Sequence, residues 1–140
     1  MRLMTDLQHL LGTRGISTLA ITLSLGIDMR RGMYDVDHPH HHKHTDSLDE
    51  IDAWLSWLRE AGAKNNVLLG HSRGGNQTAW FAAERLEGKD VKAIALLAPM
   101  TWSDTRSHEF YRRQHGMDIT PVLERAQALS SDQMLENIPY

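Results

Sequence analysis

The residues best equipped for chemistry lie in the stretch GHSRGG, Gly70 to Gly75. Ser72 stands between Gly70 and Gly74, directly after the apolar run 66–70 and before a small-residue, helix-forming stretch. A serine hydroxyl becomes a nucleophile only when it is held exposed beside a base. A sharp strand-to-helix turn provides that exposure, and the residues two before and two after the serine must then be small. Gly70 and Gly74 are expected to meet that need. The helix after the turn directs its N-terminus at the site, where N–H groups and the positive dipole end favour a developing oxyanion. The N–H of Arg73 is the expected oxyanion donor. Two plainer readings stand beside this one: a glycine-rich turn without chemistry, and a phosphate-cradling loop. The second lacks both a G-x-G-x-x-G pattern and a Gly-Lys-Ser/Thr ending.

A second group of reactive side chains is the run HPHHHKH, His38 to His44, preceded by Asp35 and Asp37. Imidazole and carboxylate ligands suit zinc, nickel or copper. A metal site needs three or four ligands converging in fixed geometry, which a contiguous loop with Pro39 inside does not by itself supply. The reading is therefore a solvated loop, with metal binding as the minor alternative and no metal in the expected site.

The elements that must position these residues follow from hydrophobic spacing. Leu3, Leu7, Leu10 and Leu11 predict an amphipathic helix over 2–12, closed by Gly12 and Gly15. The continuous apolar run 17–27 predicts a buried parallel strand. Residues 28–46 form a polar loop. Ser47 and Glu50 have the spacing of a capping box, and Leu48, Ile51, Trp54, Leu55 and Leu58 share one face of the helix that follows, 47–61. A short strand is predicted over 66–70, a helix over 75–87 with Ala79, Ala82, Ala83 and Leu86 on one side, and a strand over 91–98 ending at Pro99. Two further helices are predicted at 105–115 and 119–129. Strands alternating with helices give an α/β fold: a three-layer sandwich, a mostly parallel sheet with helices on both faces.

With 140 residues, 41% of them hydrophobic and 24% charged, the chain has the composition of one globular domain. Its net charge of −3 argues against a protein built to hold nucleic-acid phosphates. The absence of cysteine excludes disulfides and thiolate metal sites. No apolar stretch reaches the length of a transmembrane helix, and no signal peptide is readable, which leaves the cytoplasm as the default expectation.

LLGHSRGGNQTAWFAAE, with the strand at 91–98 and LLAPMTW after it, resembles the strand–nucleophile elbow–helix unit of the α/β-hydrolase superfamily. The resemblance covers roughly residues 1–105 as an order of elements; only the elbow is motif-specific. It implies a serine hydrolase acting on a small-molecule ester, thioester or amide, without a cofactor. The superfamily orders its triad serine, acid, histidine. Asp104 follows the 91–98 strand, where some members carry their acid, and His108 and His115 follow in the required order. The plain reading of that stretch is a solvated helix carrying polar residues. His71, beside Ser72, is expected to point away from it. Trp102, just past a strand end where superfamily pockets form, is the tryptophan expected to meet substrate, whereas Trp54 and Trp80 are expected to pack inside. The resemblance further implies a strand and an oxyanion loop before Met1, and an acid and a histidine after Tyr140. On that reading residues 1–140 are one hydrolase-like domain cut at both ends, with unpaired strand edges that favour self-association.

Overall fold

The computed structural model describes residues 2–32, 41–100, 103–130, 133–136 and 138. Two compact units result, Met1–Pro99 and Met100–Tyr140. The first contains helix α1 (Arg2–Gly12), helix α2 (Asp46–Glu60), strand β1 (Asn66–His71), helix α3 (Arg73–Arg85) and strand β2 (Val91–Leu97). The second contains helices α4 (Asp104–His115) and α5 (Thr120–Gln127). All seven agree with the predicted positions to within about two residues, the usual uncertainty of element ends. No helix among the described residues is long and apolar enough to cross a membrane.

β1 and β2 pair in parallel, with Leu68 opposite Ile94 and Gly70 opposite Leu96. Parallel neighbours cannot be joined by a hairpin, so the chain between them crosses over as α3. Asp90 fixes where the strands begin: its carbonyl accepts from Asn66 N at 3.1 Å and its carboxylate from Asn65 N at 3.1 Å. Leu48, Ile51 and Leu55 of α2 and Phe81 of α3 form the core, and Leu23, Leu68, Leu86 and Val91 pack against it. α2 and α3 therefore share the sheet face that carries Leu68. Strand alternation turns Val67 and Leu69 to the other face, where they are 59% and 40% exposed.

Residues 17–27 are not a strand. A strand exists only where its main-chain groups join a ladder, and the two-stranded sheet contains β1 and β2 alone. The segment is anchored by side chains instead. Leu23 packs on the core, and the Glu50 carboxylate accepts from Ser24 N at 2.7 Å and Ser24 Oγ at 2.5 Å. That contact also undoes the expected capping box. With Glu50 committed to Ser24, Ser47 Oγ donates backwards to the His44 carbonyl at 2.5 Å.

Two helix faces differ from expectation. Trp54 is 37% exposed and meets Trp57 edge-on, rings 5.9 Å apart. At about 100° per residue it falls at the margin of the stripe set by Leu48, Ile51 and Leu55. On α3 the buried residues are Gly75, Gln77, Thr78 and Phe81, while Ala83 is exposed. The close approach of β1 to the first turns of α3 selects that face, and Trp80 is left 37% exposed with its Nε1 donating to Glu84.

Candidate active site

Ser72 occupies the single-residue junction between β1 and α3, with φ 54° and ψ −123°. A non-glycine residue at positive φ is disfavoured by its own Cβ and persists only where the surroundings hold it. Here Ser72 N donates to Leu97 O at 3.1 Å, at the end of β2, and Ser72 O accepts from Gly75 N at 2.9 Å. The serine is thus pinned from the sheet on one side and from the first turn of α3 on the other.

Two glycines make room for this turn. A Cβ at Gly70 would come within 2.5 Å of Thr78 Oγ1 and 2.8 Å of the Gly74 carbonyl carbon, and would also strike the Gly74 oxygen. A Cβ at Gly75 would stand 2.9 Å from Pro99 Cβ. A Cβ at Gly74 would meet nothing within 4 Å. The expected requirement for a small residue at Gly74 is therefore not seen. It is Gly74's main chain that crowds Gly70, and the second tight position is Gly75. The doubled glycine was the available signal, since it places a glycine against the Pro99 that ends β2.

Arg73 is the first residue of α3, so its N–H belongs to the group that points out of the helix N-terminus toward the turn. His71 closes β1 and, by alternation, lies on the opposite sheet face from Gly70. Among the described residues none hydrogen-bonds Ser72 Oγ.

Asp104, His108 and His115 all lie on α4, in the second unit. Ser103 Oγ caps this helix, accepting from Arg106 N at 3.5 Å. Asp104 and His108 meet across one turn, with Oδ1 and Nε2 3.6 Å apart. The other ring nitrogen of His108, Nδ1, lies 3.6 Å from Asp118 Oδ1. His115 packs its ring on Tyr111 at 4.5 Å. Asp118 was not foreseen. Its signal was Asp118 two residues before Thr120 and three before Pro121, an arrangement that opens α5.

His38, His40, Asp35, Asp37 and Trp102 lie outside the described residues. Of the histidine run, His42 and His44 set their rings edge to face 6.0 Å apart. Gly26 (φ 75°) backs against His42, since a Cβ there would come within 3.0 Å of His42 Cβ. Among the described residues no three histidine or carboxylate side chains converge as a metal site would require.

The strain at Ser72 predicts a measurable result. Glycine occupies positive φ without penalty. Ser72→Gly recovers strain of order 1–3 kcal/mol and gives back about 0.4–1 kcal/mol in unfolded-chain entropy. The urea midpoint of Ser72→Gly is expected to rise by the equivalent of about 1 kcal/mol, whereas Ser72→Ala, which keeps the Cβ, gains nothing from this source. A fall in the midpoint of Ser72→Gly would show that the turn is unstrained.

A family model described as alpha/beta hydrolase fold matches residues 25–124, more than half of the chain. The matched region contains the serine turn, the sheet, α2, α3 and α4. No curated protein and no solved structure matches.

Proposed function

This chain belongs to the alpha/beta hydrolase fold family, and on that premise we propose that it is a serine hydrolase that cleaves a small-molecule ester, thioester or amide through an acyl-enzyme at Ser72. The observation that carries the reading is the backbone of Ser72: a non-glycine residue at φ 54° at the β1–α3 junction. Positive φ also occurs at Leu25, Met29, Asn65 and Ala98, but such strain clusters at functional sites, and only at Ser72 does it fall on a hydroxyl-bearing residue directly before the N-terminus of α3.

The reaction divides into two displacements. Ser72 Oγ gives its proton to a base and bonds to the acyl carbon, and the carbonyl oxygen takes the negative charge. The Arg73 N–H, aided by the α3 dipole, stabilises that oxyanion. The carbon–heteroatom bond then breaks, and the alcohol, thiol or amine leaves with the proton. Water repeats the sequence on the acyl-serine and releases the acid. Asp104, His108 and His115 follow Ser72 along the chain in the order the family uses for acid and base.

A second reading is an alpha/beta hydrolase fold that binds without catalysing. A Ser72 Oγ that none of the described residues hydrogen-bonds, and carboxylates 3.6 Å from both His108 ring nitrogens, favour it. Pre-steady-state hydrolysis of a p-nitrophenyl ester separates the two. The acyl-enzyme reading predicts a burst of p-nitrophenolate that is stoichiometric with protein and absent in Ser72→Ala. Equal release by the two proteins supports binding alone.

A further inference from the structure

His108 is held between carboxylates that belong to different segments. Nε2 faces Asp104 in the first turn of α4, and Nδ1 faces Asp118 in the connection to α5, each at 3.6 Å. The His108 side chain is only 27% exposed. Asp118 also accepts from Thr120 N at 2.9 Å and Thr120 Oγ1 at 2.8 Å, where α5 begins, and lies 3.8 Å from the Arg112 guanidinium. Asp104 from α4 and Asp118 from the connection thus face the imidazole, and Arg112 from α4 faces Asp118. α5 adds the uncharged Thr120.

A neutral imidazole has one N–H and one lone pair, so it can donate to one of these carboxylates while its bare nitrogen faces the other. Imidazolium donates from both nitrogens. The arrangement is complementary to the charged ring. We infer that His108 is a proton-operated clasp: its protonation ties the first turn of α4 to the residues that start α5, and its deprotonation releases one arm. Histidine is the side chain that ordinarily changes charge between about pH 5 and 8. The clasp therefore closes when His108 carries its second proton and opens when it loses it. Thr120's backbone N–H, then its hydroxyl, holds Asp118 below the usual carboxylate range. Asp118 thus stays an acceptor until pH falls through its depressed carboxylate value, where that arm is lost. The clasp does not involve Ser72, but its Asp104 and His108 are the residues that follow Ser72 in the family's acid and base order, so a clasped His108 counts against its use as the base.

The test is nuclear magnetic resonance on the full chain. The Thr120 amide and the His108 ring protons are followed from about pH 8 to about pH 5.5 in wild type, His108→Gln and Asp104→Asn. The Thr120 amide is expected to titrate together with the His108 ring. Its exchange, corrected for intrinsic pH dependence, is expected to be slower by about two- to five-fold at the acid end, the scale of a partly exposed ion pair. The step should vanish in His108→Gln and shrink in Asp104→Asn, which keeps the histidine and covers failure of the first variant to fold. A Thr120 amide that ignores pH, or one that shifts equally in wild type and both variants, overturns the clasp.

Discussion

Replacing Gly70 with alanine is expected to destabilise the protein by about 3 kcal/mol, the upper end for overpacking, while Gly74→Ala is neutral or stabilises by up to about 1 kcal/mol. Both glycines belong to the same G-x-S-x-G pattern, and pattern alone gives them equal weight. Their surroundings do not. A methyl group on Gly70 would strike the Gly74 carbonyl and Thr78 Oγ1. The carbonyl is main chain in the first turn of α3, so it cannot swing aside as a surface side chain would. Relief requires α3 to move off β1, which opens the packing of Phe81, fully buried, against α2. A methyl group on Gly74 meets open space and replaces glycine inside a helix. Urea denaturation of the two variants checks the contrast. Equal midpoints, or a larger loss at Gly74, would mean that β1 and α3 approach each other elsewhere.

Much of the fold was legible because it rests on short-range periodicity. Leu48, Ile51, Leu55 and Leu58 announced α2, and the apolar runs before Ser72 and Pro99 announced β1 and β2. Failures came where a residue's partner lies far along the chain. The run 17–27 has the composition of a strand, but composition does not show whether a ladder partner is present. Glu50 has the spacing of a capping-box acceptor, but Ser24, 26 residues away, takes it. The buried face of α3 has a related cause: contact with β1, through Gly70 and Thr78, sets it, and the alanines on one side of the helix do not.

The candidate site divides in the same way. Ser72 could be found because a nucleophile turn is a local object: strand, tight turn and helix are consecutive. Asp104 and His108 could be paired because residues four apart share a helix face. Asp118 on the far side of His108 was hidden, since a turn of chain separates it from α4. Triad partners of a serine converge through tertiary packing, which spacing along the chain does not encode.

Phosphonylation carries the largest functional consequence, because it is all or none. A fluorophosphonate reacts with a serine whose proton is removed and whose developing oxyanion is stabilised, so it samples the proposed chemistry without knowledge of the substrate. Ordinary serine hydroxyls, such as those of Ser24 and Ser47 that hydrogen-bond to Glu50 and to the His44 carbonyl, lack this activation. Intact-mass measurement after fluorophosphonate treatment, followed by peptide mapping, is the most direct test of Ser72 as a nucleophile. The account predicts a single phosphonyl adduct on wild-type protein, mapped to Ser72 and absent from Ser72→Ala. An unlabelled wild type, or an adduct that persists in Ser72→Ala, would contradict it.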